Sequence, residues 1–319
     1  MSTRDVEVSK RITVERSLQG RRFQPANIIF EISLIISLLA SLGFVLLLLA
    51  TVFSDGISVF QQRGLSFFTS DLSRIPGDAG IAQALFGSVA LAVIVTIVAF
   101  PLGISTAIYL EEYAPDNRWM QLVRLNIRNL AGVPSVVYGL LGLAIFVKLL
   151  GTDTANGSGL TGGRTLISGG LTLSVLVLPI VIITSSEALR AVPYSLREGA
   201  YGVGATKWEV TKKLVLPNAL PGIITGAVLS LSRAIGETAP LILVGAFYGT
   251  FFTTGDTGTL GKFTTTYTAL PQVIYQWATE AQSEFNVQLT SAAICVLIAL
   301  TFVANIGAIL LRNRYEKRW

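Results

Sequence analysis

Arg233 and Glu237 stand four residues apart in a stretch, SRAIGETAPL (232–241), whose other members are small, apolar or uncharged. That spacing puts two side chains on one face of a helix. A guanidinium offers paired N–H donors that match the oxygens of an oxyanion, and a carboxylate one turn away competes for the same donors. The pair therefore either neutralises itself or binds and releases an anion, and the residues alone leave both readings open. A charge at the centre of a membrane span costs roughly 2.5–3.5 kcal/mol on insertion scales, so it faces a partner or a water-filled path and not lipid. Arg233 falls about midway along an apolar run over 219–248.

The remaining chemistry is sparse. There is no histidine and one cysteine, Cys295. Histidine-based metal sites, imidazole proton relays, Ser-His-Asp catalysis and an internal disulfide are excluded. Cys295 reads as a small apolar residue within a span. The chain has no Gly-x4-Gly-Lys-Ser/Thr phosphate loop, so ATP hydrolysis would need a separate subunit. No metal and no cofactor is expected.

The elements that position these residues are membrane helices. Of 319 residues, 51% are hydrophobic and only 13% are charged, with mean hydropathy +0.63. Charge that scarce argues against a soluble domain. Apolar runs at about 28–54, 83–110, 130–150, 166–186, 219–248 and 290–311 are each long enough to cross a bilayer. The expected fold is all-α, with six transmembrane helices. Pro101, Pro179 and Pro240 lie inside spans, where neighbouring helices can satisfy the freed carbonyls. The first run reads as a retained anchor. The expected organisation is a tail (1–26), a first transmembrane helix with its outer loop (27–74), a core with five transmembrane helices (75–312) and a second tail (313–319).

Charge sets the orientation. The N-terminal tail, the loop with Arg118, Arg124 and Arg128, the loop with Arg190, Arg197, Lys207, Lys212 and Lys213, and the C-terminal tail hold 18 of the 24 basic residues. By the positive-inside rule both termini are cytoplasmic. The net charge of +5 is thus mostly topology, and no nucleic-acid partner is expected. Outside, 151–164 reads as an exposed turn. In the outer loop over about 249–289, Tyr275 and Trp277 suit an interfacial helix, with lipid anchoring favoured over contact with a soluble partner. In the fifth run, Gly222-x3-Gly226, Ser230-x3-Ala234 and Ser232-x3-Gly236 make small faces that permit close packing. In the third, Gly132 and Pro134 loosen the helix start, and Ser135 and Tyr138 either line a path or pack in the core.

The most informative stretch is 198–217, EGAYGVGATKWEVTKKLVLP. Ser195 with Glu198 three positions on has the pattern of a capping box. Gly204 permits a sharp bend. Lys207–Val215 suits a second short amphipathic helix, ended by Pro217. Two short helices around a glycine make a projecting knob. The spacing of Glu198, Gly199, Ala200, Gly204, Leu214, Leu216 and Pro217 resembles the coupling motif of ABC-importer permeases, with Gly199 in place of Ala and Leu214 in place of Ile. GIAQALFGS (80–88), GVPSVVYG (132–139) and SRAIGETAPL (232–241) resemble boxes of phosphate-importer permeases, and the Ala-Pro after Glu-Thr resembles the PstA type.

The resemblance implies a MetI-like bundle in the cell membrane, and those coupling residues would then contact an ATPase. Its partners would be a PstC-type second permease, two PstB-type ATPase subunits and an external phosphate-binding protein. Inorganic phosphate would pass Arg233, Glu237, Ser135 and Tyr138. A sulfate, molybdate or phosphonate permease is the alternative within this class. An ion-coupled secondary transporter is a weaker one, because it leaves the loop motif unexplained and the hydropathy shows no inverted repeat.

Overall fold

The computed structural model describes residues 25–151, 160–246 and 266–315, and every element among them is helical. Residues 1–24, 152–159, 247–265 and 316–319 lie outside the described residues. They carry most of the expected tails, of the 151–164 turn and of the first half of the long outer loop. The chain divides into two units, one through Thr51 and one from Val52. The boundary falls within the first helix, α1 (Pro25–Arg63). In the first unit α1 is a single apolar helix with exposed side chains.

The second unit continues through α2 (Ser66–Thr69), α3 (Ala82–Ile108) and α4 (Arg118–Ala131). It goes on through α5 (Ser135–Gly142), α6 (Leu166–Arg190), α7 (Tyr194–Gly202) and α8 (Lys207–Val210). The last four helices are α9 (Leu216–Gly236), α10 (Ala239–Val244), α11 (Leu270–Ala278) and α12 (Thr290–Tyr315). Wider turns with i→i−5 bonding extend α3 over Tyr109–Tyr113 and α5 over Leu143–Leu149, join α8 to α9 over Thr211–Val215, and lead into α12 over Glu284–Leu289. Five stretches among the described residues are long and apolar enough to cross a membrane: Asn27–Arg63, Ala82–Tyr113, Leu166–Arg190, Lys207–Gly236 and Glu284–Arg314.

Two of the expected spans are broken. The third does not run straight from 130 to 150; Arg118–Ala131 and Ser135–Leu149 are bent by 100° at the break between them. Pro134 lies there with extended ψ of 138°, and a proline pushes the residue before it out of the helical region. The pair makes a sixth span only if counted together. The fifth span does not continue to 248. It stops at Gly236, where Glu237 has φ −76° and ψ 125°, and restarts as the short α10. The backbone cause is Pro240, whose missing N–H would have met the Gly236 carbonyl.

Three apolar clusters form the core of the second unit. One joins Phe67, Ile81, Leu270, Trp277 and Phe285. The next joins Val95, Tyr138, Leu173, Val177 and Leu241, and the third joins Leu110, Leu189, Val210, Val215 and Ile223. Helix α6 runs from the second into the third. Trp277 is not a lipid anchor: it is fully buried, with its ring centroid 5.8 Å from that of Phe285. Leu270, Val273 and Trp277 fall on one stripe of α11, and that stripe faces the core. Tyr275, off the stripe, is exposed.

Candidate functional site

The loop at 194–217 folds as two short helices around a turn, as its spacing predicts. Its capping differs from the expectation. Ser195 is not the cap of α7; the helix begins at Tyr194, behind Pro193 at φ −55° and ψ 135°, with no side-chain cap. An N-cap needs extended backbone, and Pro193 holds that conformation, so Ser195 is already inside the first turn. The capping box belongs to α8. There Thr206 Oγ1 accepts from the Glu209 N–H, and the Glu209 carboxylate accepts from the Thr206 N–H at 3.1 Å.

Gly204 makes the bend. Its φ is +85°, a region open to glycine and disfavoured for L side chains. The Gly204 N–H donates to the Tyr201 carbonyl at 2.9 Å, and the Ala205 N–H donates to the Ala200 carbonyl at 3.1 Å. These nested bonds are a Schellman motif. Its usual apolar contact is supplied by Ala200 and Ala205, which pack in the same cluster. Pro217 does not end the second helix. The wide turn Thr211–Val215 precedes it, with the Leu216 N–H donating to the Thr211 carbonyl, and the chain continues without a break from Lys207 to Gly236. Widening the ladder there eases the clash between the proline ring and the carbonyl four residues back.

Among the motif residues, Glu198, Gly199 and Pro217 are exposed, Ala200 is buried, and Leu214 and Leu216 pack against the third cluster. Around them the knob exposes Val203 (86%), Trp208 (60%), Tyr194 and Tyr201. Leu196, Gly199, Val203, Glu209 and Leu214 line an open groove across it.

What fixes the knob was not legible from spacing. The Arg197 guanidinium donates to Glu112 at 2.9 Å and to the Val192 and Leu189 carbonyls at 2.7 and 2.9 Å. This ion pair is nearly buried, with side chains 12% and 6% exposed. Arg190 donates through two nitrogens to Glu111, at 2.6 and 2.9 Å. Lys207 Nζ lies 5.2 Å from the Tyr113 ring centroid, in cation–π range. The sequence Glu111-Glu112-Tyr113, on the last turn of α3, thus holds the base of the loop at three points.

The intramembrane pair is formed. Arg233 Nε donates to Glu237 Oε1 at 3.2 Å. Arg233 lies in the last turn of α9, and Glu237 just beyond it, not within a continuous helix. Depth follows from packing. Gly222 lies against Ala188 and Gly226 against Thr184, where any larger side chain would overlap. Continuing this antiparallel register sets Arg233 level with about Val177, halfway along α6. Ala234 and Val177 share one core cluster. On another face of α9, Ser232 donates to Asn305 Oδ1 of α12 at 2.6 Å.

The Tyr138 hydroxyl donates to the Leu130 carbonyl at 2.8 Å, stitching α5 to α4 across the 100° break. Ser135 is partly exposed at the start of α5. Cys295 is buried, with its sulfur 3.8 Å from the Val52 carbonyl oxygen. Among the described residues no cluster of His, Cys, Asp or Glu suits a metal ion.

Residues 99–317 match the family described as binding-protein-dependent transport system inner membrane component. The chain is 34% identical over 195 residues to "Probable ABC transporter permease protein YqgI" of Bacillus subtilis, covering 61% of this chain and 62% of that one. It is 32% identical over 234 residues to "Phosphate transport system permease protein PstA 1" of Mycobacterium tuberculosis, covering 73% and 70%. The fold resembles a chain of a bacterial alginate ABC transporter, with TM-score 0.62 and 17% identity over 91% of this chain and 96% of that one. The fold is a MetI-like permease bundle, and the chain belongs to the binding-protein-dependent transport system inner membrane components, the membrane permeases of ABC transporters.

Proposed function

We propose that this chain is the PstA-type permease subunit of an ABC importer for inorganic phosphate. The observation that carries the reading is the knob at 194–215. It presents exposed apolar side chains around a rigid Schellman turn, and its base is bolted to α3. A surface of that kind, in a chain without its own phosphate loop, suits docking to a separate ATPase. The relatives' names supply phosphate as the substrate class. The knob then faces the cytoplasm, a placement that the distribution of Lys and Arg supports, and both termini lie on that side. The partners are a PstC-type permease, two PstB-type ATPases and an external phosphate-binding protein.

In this reading Arg233 and Glu237 lie on the phosphate path, with Glu237 competing for the guanidinium so that the anion can leave. The 3.2 Å pair equally favours a second reading, in which the two charges only neutralise each other.

The test is reconstitution. The four components together should take up phosphate on ATP addition, and omission of this chain, the second permease or the ATPase should abolish it. Excess sulfate, molybdate or phosphonate should not compete. Uptake by this chain alone under a proton gradient would overturn the ABC reading, and full competition by another oxyanion would overturn phosphate.

A further inference from the structure

Helix α4 has three faces and only one of them is packed. Met120 and Ile127 join the core cluster shared with α6. Between them Arg124 reaches the Leu110 carbonyl of α3. A second face carries Trp119, which is 76% exposed, with Leu122, Val123 and Leu130, all exposed; Asn126 lies among them, its side-chain amide donating to the Leu122 carbonyl at 2.8 Å. The third carries Arg118, Gln121, Arg128 and Asn129, polar and exposed, with the exposed Leu125 among them. At 100° per residue the apolar unpacked face lies between the packed and polar ones. The helix contains no acidic residue, and the side chain of Asn117 caps its start at Met120 N–H.

The bend fixes how this helix lies. It departs by 100° from the segment Ser135–Leu149. If that segment crosses the bilayer, α4 runs along the membrane plane for about 21 Å at 1.5 Å per residue. It does so at the basic end of the bundle, beside Glu187 and Arg190 of α6 and Glu111 of α3. Glu111 is already paired with Arg190; Arg128 lines the same hollow as Glu187, yet Arg118 and Arg128 are exposed and form no ion pair among the described residues, which leaves them open to other anions. An apolar stripe with a tryptophan, bordered on one side by a face with two arginines and lying in plane, matches the interface of a bilayer with anionic headgroups.

We infer that α4 is an interfacial anchor: Trp119, Leu122, Val123 and Leu130 enter the acyl boundary of the inner leaflet, and Arg118 and Arg128 hold anionic lipid headgroups above it. The inference uses the membrane orientation proposed above only to name the leaflet; depth and lipid preference are independent of it.

The test uses the assembled transporter in nanodiscs, with Cys295→Ala to free the labelling chemistry and an environment-sensitive fluorophore on Val123→Cys or on Gln121→Cys. Brominated phosphatidylcholine or brominated phosphatidylglycerol is the quencher in the bilayer, and acrylamide the quencher in water. The label at 123 should be quenched by brominated lipid and shielded from acrylamide, and the label at 121 should show the reverse. At equal mole fraction, phosphatidylglycerol should be enriched at 123 by about fivefold per arginine, and Arg118→Gln with Arg128→Gln should remove the enrichment. A label at 123 insensitive to both lipids would mean that protein or water covers this face, and would overturn the anchor. Equal quenching by the two lipids, unchanged in the double variant, would overturn the headgroup assignment.

Discussion

Gly204→Val should release the ATPase while leaving the bundle intact, and the structure separates the cause from ordinary crowding. A Cβ at Gly204 would meet nothing within 4 Å, so the whole cost lies in the backbone at φ +85°. An L residue in that region costs about 1–2 kcal/mol, and a β-branched one more. A change of 1–2 kcal/mol alters the population of the folded turn by a factor of roughly 5–30. Relaxing φ to a negative value would break the nested bonds to Ala200 and Tyr201 and rotate Val203 and Trp208 relative to each other. Asparagine tolerates the left-handed region, so Gly204→Asn should retain most of the docking, with Gly204→Ala between the two. The assay is co-purification of the ATPase with each variant, together with ATP-driven uptake in vesicles. Valine docking as well as wild type, or asparagine failing as completely as valine, would refute the backbone argument.

The two arginine clamps should differ in weight. Glu112→Ala leaves the nearly buried Arg197 without its carboxylate, held only by the Val192 and Leu189 carbonyls, and should lower stability by about 3 kcal/mol, whereas Glu111→Ala, opposite a half-exposed Arg190, should cost no more than about 1 kcal/mol; thermal unfolding of the purified chain checks the ranking, and equal losses would contradict it. For the intramembrane pair, Arg233→Gln should abolish uptake without loss of membrane protein if the guanidinium meets phosphate, and Glu237→Gln should slow release. Combining the two changes should then give a folded, inactive transporter; restored uptake in the double variant, measured beside its membrane level, would establish mutual neutralisation instead.

Local features were legible where one residue type decides the outcome. Gly204 marks a positive-φ turn because no other residue adopts one so readily, and the apolar runs mark helices because an unpaired backbone in lipid is prohibitive. Capping was ambiguous. Ser195-x2-Glu198 and Thr206-x2-Glu209 carry the same pattern, and only the conformation of Pro193 decides between them. Hydropathy could not separate Trp277 in the core from an interfacial Trp, since both positions are apolar. Nor could it see the breaks at Pro134 and Glu237, which follow from what a single proline does to the backbone before it. The clamps lay furthest from reach: Arg190–Glu111 and Arg197–Glu112 join residues 79 and 85 positions apart, and charge counting had used both arginines only to orient the chain.

Thirty residues run unbroken from Lys207 to Gly236, about 45 Å of helix at 1.5 Å per residue. Trp208 sits at one end of this shaft and Arg233 at the other. In mechanical terms the handle and the bit are one piece. A rotation applied at the exposed loop is delivered to the charged pair through covalent backbone, without relay across side-chain contacts. The wide turn Thr211–Val215, where the ladder departs from i→i−4 bonding, lies close to the handle, so a change of angle there would move the grip and leave the far end of the shaft aligned. Twisting the shaft would swing the Arg233 guanidinium around the axis relative to Glu237, which stands just beyond the helix end.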